Sequence, residues 1–137
     1  NDIAAMSKEG EEPSDTIARI VPGLSAESDS FTTVEVTKRD EAVAAARAWG
    51  QERGSRVVIM LDNMGPASAV EVVSYLSEEG LRERCVLEGS GGVTLESLGD
   101  WSYSGVDVVS SSGLNLGVVP VDFSMIIGGG EFGRNPR

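Results

Sequence analysis

Histidine is absent from this 137-residue chain, which removes the commonest general base and the commonest transition-metal ligand together. Cysteine occurs once, at Cys85, so neither an internal disulfide nor a cysteine-built metal cluster can form. Its place at the start of an apolar run marks it as a small buried hydrophobe. Long hydrophobic runs are missing too. The longest, Val57-Val58-Ile59-Met60-Leu61, falls far short of the ~20 residues that span a bilayer, and no positively charged start precedes an apolar signal segment. The expectation is a chain that does not span a membrane. Positive charge is scarce: 11 Lys and Arg against 22 Asp and Glu leave a net charge of −11. That balance argues against nucleic acid as a partner, and it repels a polyanionic substrate unless basic side chains gather at its site.

What is present reads as a folding chain. Hydrophobic residues make up 40% and charged residues 24%, enough apolar surface to form a core. The length suits one domain, yet it is short for a complete (β/α)₈ barrel, which takes roughly 200 residues or more. Asn1 in place of Met points to a processed or partial product, so the compartment cannot be read.

Residues 1–30 form a polar, acidic, loop-rich lead-in. Within it, Ile17, Ile20, Val21 and Leu24 recur at helical spacing after Pro13, which predicts one short helix ended by Pro22 and Gly23. A regular alternation begins at residue 31. Val34 and Val36 share one face of a strand over 31–37, with Thr33, Glu35 and Thr37 on the other. Residues 38–54 place Ala42, Ala45, Ala46 and Trp49 on one helical stripe, with Gly54 as the stop. A buried strand over 56–61 follows, then a helix from Pro66 that buries Ala69, Val72, Val73 and Leu76 and ends at Gly80. A third strand is predicted over 84–88, a short helix over 94–100, and a fourth strand over 106–110. Residues 121–127 suit a short strand or a helix, and 128–137 a loose tail. Strands alternating with helices imply a parallel sheet with right-handed crossovers. The predicted fold class is therefore α/β: a partial, TIM-like α/β barrel of about four to five parallel βα units over 31–127, incomplete on its own.

In such folds the functional face lies at the carboxyl ends of the strands. There this chain has Glu35 with Thr37, Asp62 with Asn63, Glu88 with Ser90, and Ser110 to Ser112. The Ser90-Gly91-Gly92-Val93-Thr94 turn reads in two ways. Its backbone N–H groups, aided by a following helix start, form a cradle for a phosphate, or the glycines serve only the geometry of a tight turn. Asp62 reads as a carboxylate for sugar hydroxyls or Mg²⁺, or as a loop cap. Glu35 reads better as a buried acid in an interior network, and Trp49, Trp101 and Tyr103 as packing. Arg56, Arg82 and Arg84 precede their strands and so fall at the opposite end; only Lys38 and Arg39 directly follow a strand on the functional face.

The segments "TTVEVTKRDEAVAAA", "VVIMLDNMGPASAVEVV", "LEGSGGVTLESL", "GVDVVSSSGL" and "VPVDFSMII" together resemble, in order and spacing, the C-terminal barrel half of quinolinate phosphoribosyltransferase, the carboxylating nicotinate-nucleotide pyrophosphorylase. The opening "NDIAA" is similar to the end of that family's Lys-Asp-Asn-His-Ile segment. The resemblance implies Mg²⁺-assisted transfer of a phosphoribosyl group from phosphoribosyl pyrophosphate to quinolinate, with loss of carbon dioxide, for NAD synthesis. It also implies an N-terminal α/β sandwich, an irregular α/β barrel and an oligomeric assembly. By resemblance, Asp62 engages the ribose or a metal, while Ser90, Gly91, Gly92 and the position of Ser112 receive phosphate. Three positions depart: Thr37 stands where the family carries a functional Glu, Ser112 where a phosphate-contacting Gly is expected, and Asp2 where the family has His. The Arg, His and Lys residues that bind quinolinate and pyrophosphate in the family fall upstream of Asn1.

Two functions follow as expectations. The first is the C-terminal part of a working phosphoribosyltransferase, not catalytic as this chain alone. The second is a degenerate half-barrel repurposed as an interaction or assembly subunit. Four parallel strands by themselves leave open edges and an uncovered face, so either function requires a protein partner: the missing barrel half, a second copy or a larger complex.

Overall fold

The computed structural model of the chain describes residues 2–24, 31–50 and 55–113. The order of elements is α1 (Asp2–Met6), α2 (Pro13–Ile20), a 3₁₀ turn (Val21–Gly23), β1 (Thr33–Val36), α3 (Arg39–Trp49), β2 (Val57–Asp62) and α4 (Gly65–Glu78). A second 3₁₀ turn (Arg82–Arg84), β3 (Cys85–Ser90), α5 (Leu98–Ser102) and β4 (Val108–Val109) follow. The four strands form one parallel sheet in the order β1-β2-β3-β4. Among the described residues the strand order does not reverse, and the helices cover one face of the sheet. Those two features set a barrel's winding apart from a doubly wound sheet, where the order switches and helices lie on both faces.

The one-sided cover follows from the alternation in the sequence. Val34 and Val36 in β1, Val57, Ile59 and Leu61 in β2, and Cys85, Leu87 and Gly89 in β3 are buried beneath the helices. Their alternates, Thr33, Glu35, Val58, Met60, Val86 and Glu88, are half-buried or exposed on the other face. Register puts Glu35, Met60, Glu88 and Val108 in one row across that face. A parallel sheet normally has both faces covered; here the second is the one that a closed barrel turns inward, and the sheet is not closed.

Helix α3 packs Ala42, Val43, Ala45, Ala46 and Trp49 on the sheet, with Asp40 and Glu41 in its first turn and Arg47 in its last, the polarity that a helix dipole favours. The carboxylate of Glu41 reaches back to accept the Thr37 backbone N–H at 2.8 Å, satisfying a donor at the helix entry. The helix stops at Gly50, whose φ is 74°, four residues before the expected stop at Gly54; a left-handed glycine ends the ladder at the first place one is available. Helix α4 closes as predicted at Gly80. Its φ is 66°, and the Leu81 N–H returns to the Leu76 carbonyl at 2.8 Å, the 6→1 bond of a Schellman cap.

Several expectations need correction. The short helix expected after Pro13 is α2, Pro13–Ile20, with Ile17 and Val21 fully buried, but the lead-in also holds an unexpected helix, α1 at Asp2–Met6. Strand β3 runs on through Gly89 and Ser90. Strand β4 shrinks to Val108–Val109. Helix α5 begins at Leu98 and not at Thr94, because Thr94 and Ser97 exchange side-chain-to-backbone bonds in a capping turn ahead of it. Glu35 lies on the face that a closed barrel turns inward, as expected, and in the open sheet it is exposed among the described residues. Trp49 and Trp101 are core residues, but Tyr103 is 88% exposed and packs nothing away. Cys85 is buried as expected, and burial pushes its thiol pKa up. The predicted element at 121–127 and the tail 128–137 lie outside the described residues. Among the described residues no helix is long and apolar enough to cross a membrane.

One pair in the lead-in titrates in a readable window. The Arg19 guanidinium bonds both oxygens of Glu11, at 2.9 and 2.8 Å, and that bond, with the Lys8 backbone N–H, pulls the Glu11 carboxyl down to about 2. A carboxyl depressed in the folded state contributes stability above its unfolded value of 4.5 and loses it as pH falls through about 2. NMR titration should therefore find Glu11 with a midpoint near 2, rising toward the ordinary glutamate range in Arg19→Met, which removes the largest cause and leaves the Lys8 N–H. A midpoint that ignores the substitution would refute the pairing.

Candidate functional site

The carboxyl edge of the sheet brings several of the expected residues together. Asp62, the last residue of β2, is the register partner of Ser90, the last residue of β3. Both continue the open face, so their side chains fall on the side that a barrel turns inward. Thr37 follows β1 one residue beyond the Val36–Leu61 pair and therefore stands level with Asp62. On the far side, the Ser110 N–H donates to the Gly89 carbonyl at 3.0 Å, which brings the chain leaving β4 alongside β3.

The loop after β3 has the backbone its glycines foretell. Gly91 has φ 85° and Gly92 φ 63°, both in the left-handed region that side-chain-bearing residues avoid. The two do not share the same surroundings. A Cβ on Gly92 would meet open space, whereas one on Gly91 would run into the side chain and backbone nitrogen of Asn63. The loop is pinned behind by Val93, which is buried and whose carbonyl accepts the Ser111 hydroxyl at 2.6 Å. Ser111 also accepts the Gly113 N–H at 3.1 Å, so it fastens the β3 loop to the β4 loop. Ser112 beside it is exposed. Because α5 starts only at Leu98, its N-terminus does not directly follow the Ser90-Gly91-Gly92 turn as expected. What the turn itself offers an anion is backbone N–H groups and the Ser90 hydroxyl.

Asn63, placed on the functional face by the sequence but given no role of its own there, links the two strand ends. It has φ 55°, donates its backbone N–H to the Ser90 carbonyl at 2.9 Å, and donates Nδ2 to Oδ2 of Asp62 at 2.9 Å. Thr37 plays a different part from the one expected of an acid: its N–H is taken by Glu41, and its hydroxyl lies 3.4 Å from the same carboxylate oxygen. Asp2 lies in α1.

Cationic lining at this edge is thin among the described residues. Arg39 leans away, its guanidinium 4.9 Å above the Tyr75 ring and 3.3 Å from Asp40; Lys38, exposed, precedes α3. Arg82 sits at the opposite end, bound to Asp107 at 2.9 Å. Among the described residues no three carboxylates or thiols gather to hold a metal ion. A single carboxylate such as Asp62 suits a Mg²⁺ that arrives on substrate phosphates and keeps its waters, not one caged by protein.

Residues 12–126 match the family described as quinolinate phosphoribosyl transferase, C-terminal domain. The match takes in α2 as well as the sheet. Among curated relatives, the chain is 34% identical to a probable nicotinate-nucleotide pyrophosphorylase [carboxylating] of Methanothermobacter thermautotrophicus, over 73% of this chain and 35% of that protein. It is 37% identical to the protein of the same description from Archaeoglobus fulgidus, over 70% of this chain and 36% of the relative. A nicotinate-nucleotide pyrophosphorylase [carboxylating] of Dictyostelium discoideum is 30% identical over 80% of this chain and 33% of its own length. The chain thus spans about a third of the length of the curated relatives it matches. With a sequential parallel sheet covered on one face and the Asp62 and Ser90 ends side by side, the chain belongs to the quinolinate phosphoribosyl transferase family and carries its C-terminal domain.

Proposed function

We propose that this chain supplies the phosphoribosyl-holding part of a quinolinate phosphoribosyltransferase site and does not turn over by itself. The observation that carries the reading is the pairing of Asp62 with Ser90 at the carboxyl edge, ahead of two left-handed glycines. In this reading the Ser90 hydroxyl and the backbone N–H groups of the 90–92 loop take the 5-phosphate, with Ser112 reaching it from the β4 loop. Asp62 takes the ribose hydroxyls or one position on Mg²⁺. The metal, when bound, neutralises the pyrophosphate leaving group. Quinolinate and pyrophosphate are polyanions, and gripping them takes several cations; each lost charge-assisted contact typically costs roughly 2–4 kcal/mol of transition-state binding. Those cations must come from polypeptide outside the described residues, which also closes the open face and the free edges of β1 and β4.

The test is nicotinate mononucleotide formation from quinolinate and phosphoribosyl pyrophosphate with Mg²⁺, run beside thermal melts in phosphate. The expected result is no turnover by the isolated chain and a raised melting temperature in phosphate. Turnover by these 137 residues alone would overturn the first half of the proposal, and indifference to phosphate the second. A second reading, an assembly subunit that kept the scaffold and lost the chemistry, is favoured by Thr37 and Ser112 at positions where the family resemblance implies Glu and Gly. It predicts a stable oligomer on size exclusion whose melting ignores phosphate.

A further inference from the structure

Asn63 is the only residue other than glycine with a positive φ among the described residues, at 55°. A side-chain-bearing residue persists in that conformation only where its surroundings hold it there, and such residues cluster at ligand sites. Three contacts hold this one. Its backbone N–H donates to the Ser90 carbonyl and its Nδ2 donates to Asp62 Oδ2, each at 2.9 Å. Its side-chain oxygen lies over the bare Cα of Gly91, where a Cβ would collide with Oδ1, Cγ and the backbone nitrogen. The amide can point only one way, since reversing it would set its oxygen against the Asp62 carboxylate. Gly91 is therefore required twice, for its own φ of 85° and to leave room for Asn63.

We propose that Asn63 is a positioning residue that ties the Asp62 carboxylate to the Ser90–Gly91–Gly92 loop, so that one ribose phosphate meets both at once. The proposal rests on the phosphoribosyl reading above. It assigns the two halves of Asn63 to separate tasks: the backbone N–H sets the height of the loop against β2, and the side-chain amide aims the carboxylate.

Glycine at this position accepts φ 55° and deletes only the amide. Isothermal titration of the purified chain, in whatever assembly it forms, with inorganic phosphate and with ribose 5-phosphate separates the tasks. In wild type, ribose 5-phosphate should bind about tenfold tighter than phosphate, a difference of ~1.4 kcal/mol. In Asn63→Gly, phosphate affinity should stay within about twofold while most of that ribose advantage disappears. Asn63→Ala, which also strains the backbone, should weaken both ligands. An Asn63→Gly protein that keeps the ribose advantage would overturn this proposal alone, and one that loses phosphate and ribose 5-phosphate equally would reduce Asn63 to a structural role and also overturn it. Wild type that binds phosphate without a ribose advantage would sink the Asp62 arm. Wild type that binds no phosphate would remove the underlying reading and this proposal with it.

Discussion

Gly89→Ala should destabilise the fold by about 2–4 kcal/mol, lowering the melting temperature by roughly 5–15 °C, although it adds a single methyl group. Gly89 lies on the helix-covered face of β3, and its Cα is roofed by the six-membered ring of Trp101. A Cβ there would strike three carbons of that ring, Cζ3, Cε3 and Cη2. Neither the strand nor the ring can give way without moving backbone. Gly89 is fixed by the ladder on both sides, paired with Leu61 in β2 and Val109 in β4, and Trp101 is 2% exposed on a helix of five residues. An overpacked core responds by moving backbone, and here the movable piece is α5 itself. A double-mutant cycle checks this. Trp101→Leu costs stability by itself through the cavity it leaves, but it should relieve the clash, so the double variant should be more stable than the sum of the singles by about 1–2 kcal/mol. Additive effects would show that the ring and the glycine do not meet.

That pair also marks the boundary of what local pattern conveys. The alternation over 31–37, the run at 56–61, the helix start at Pro66 and the stop at Gly80 make β1, β2 and α4 legible, because each is dictated by neighbours in sequence. The helix predicted over 94–100 starts late, because Thr94 and Ser97 spend their bonds on a turn and the helix waits until Leu98. Gly89 falls just outside the strand predicted over 84–88, and its need for glycine is not local, because the ring that requires it comes from Trp101, across the intervening loop on α5. α1 is not legible because five residues, Asp2–Met6, carry too short a stripe to show a period. At the site, Asp62, Ser90 and the two glycines could be found from strand ends alone. Asn63 stands at a strand end as well, but its role is not legible there, because it lies in a backbone angle and in a contact with Gly91 that only the register of β2 against β3 creates.

Asp107→Ala should cost about 2 kcal/mol, more than the ~0–1 kcal/mol of an ordinary surface ion pair, because this carboxylate substitutes for strand. Register pairs β4 with β3 only at Glu88–Val108 and Gly89–Val109. Below that, Asp107 continues the ladder with both of its ends: its N–H donates to the Leu87 carbonyl at 2.9 Å, and its Oδ2 accepts the Leu87 N–H at 2.8 Å. Its Oδ1 accepts from Arg82 at 2.9 Å, and Arg82 in turn donates to the Gly105 and Cys85 carbonyls at 3.1 and 3.2 Å. Truncation leaves the Leu87 N–H without its acceptor and Arg82, whose side chain is 19% exposed, without its counter-charge. Asp107→Asn keeps an acceptor for Leu87 and should recover about half of the loss. The acid limb supplies the sign. Burial works to raise the Asp107 pKa, but the Arg82 bond and the Leu87 N–H outweigh it and hold the carboxyl below its ordinary 3.8. The stability it contributes is therefore complete above that pH and lost as pH falls through the lower folded value. Urea melts of wild type and Asp107→Ala should differ fully at neutral pH and converge on acidification below 3.8; a gap that stays constant into acid would show that the carboxylate does not hold β4 to the sheet.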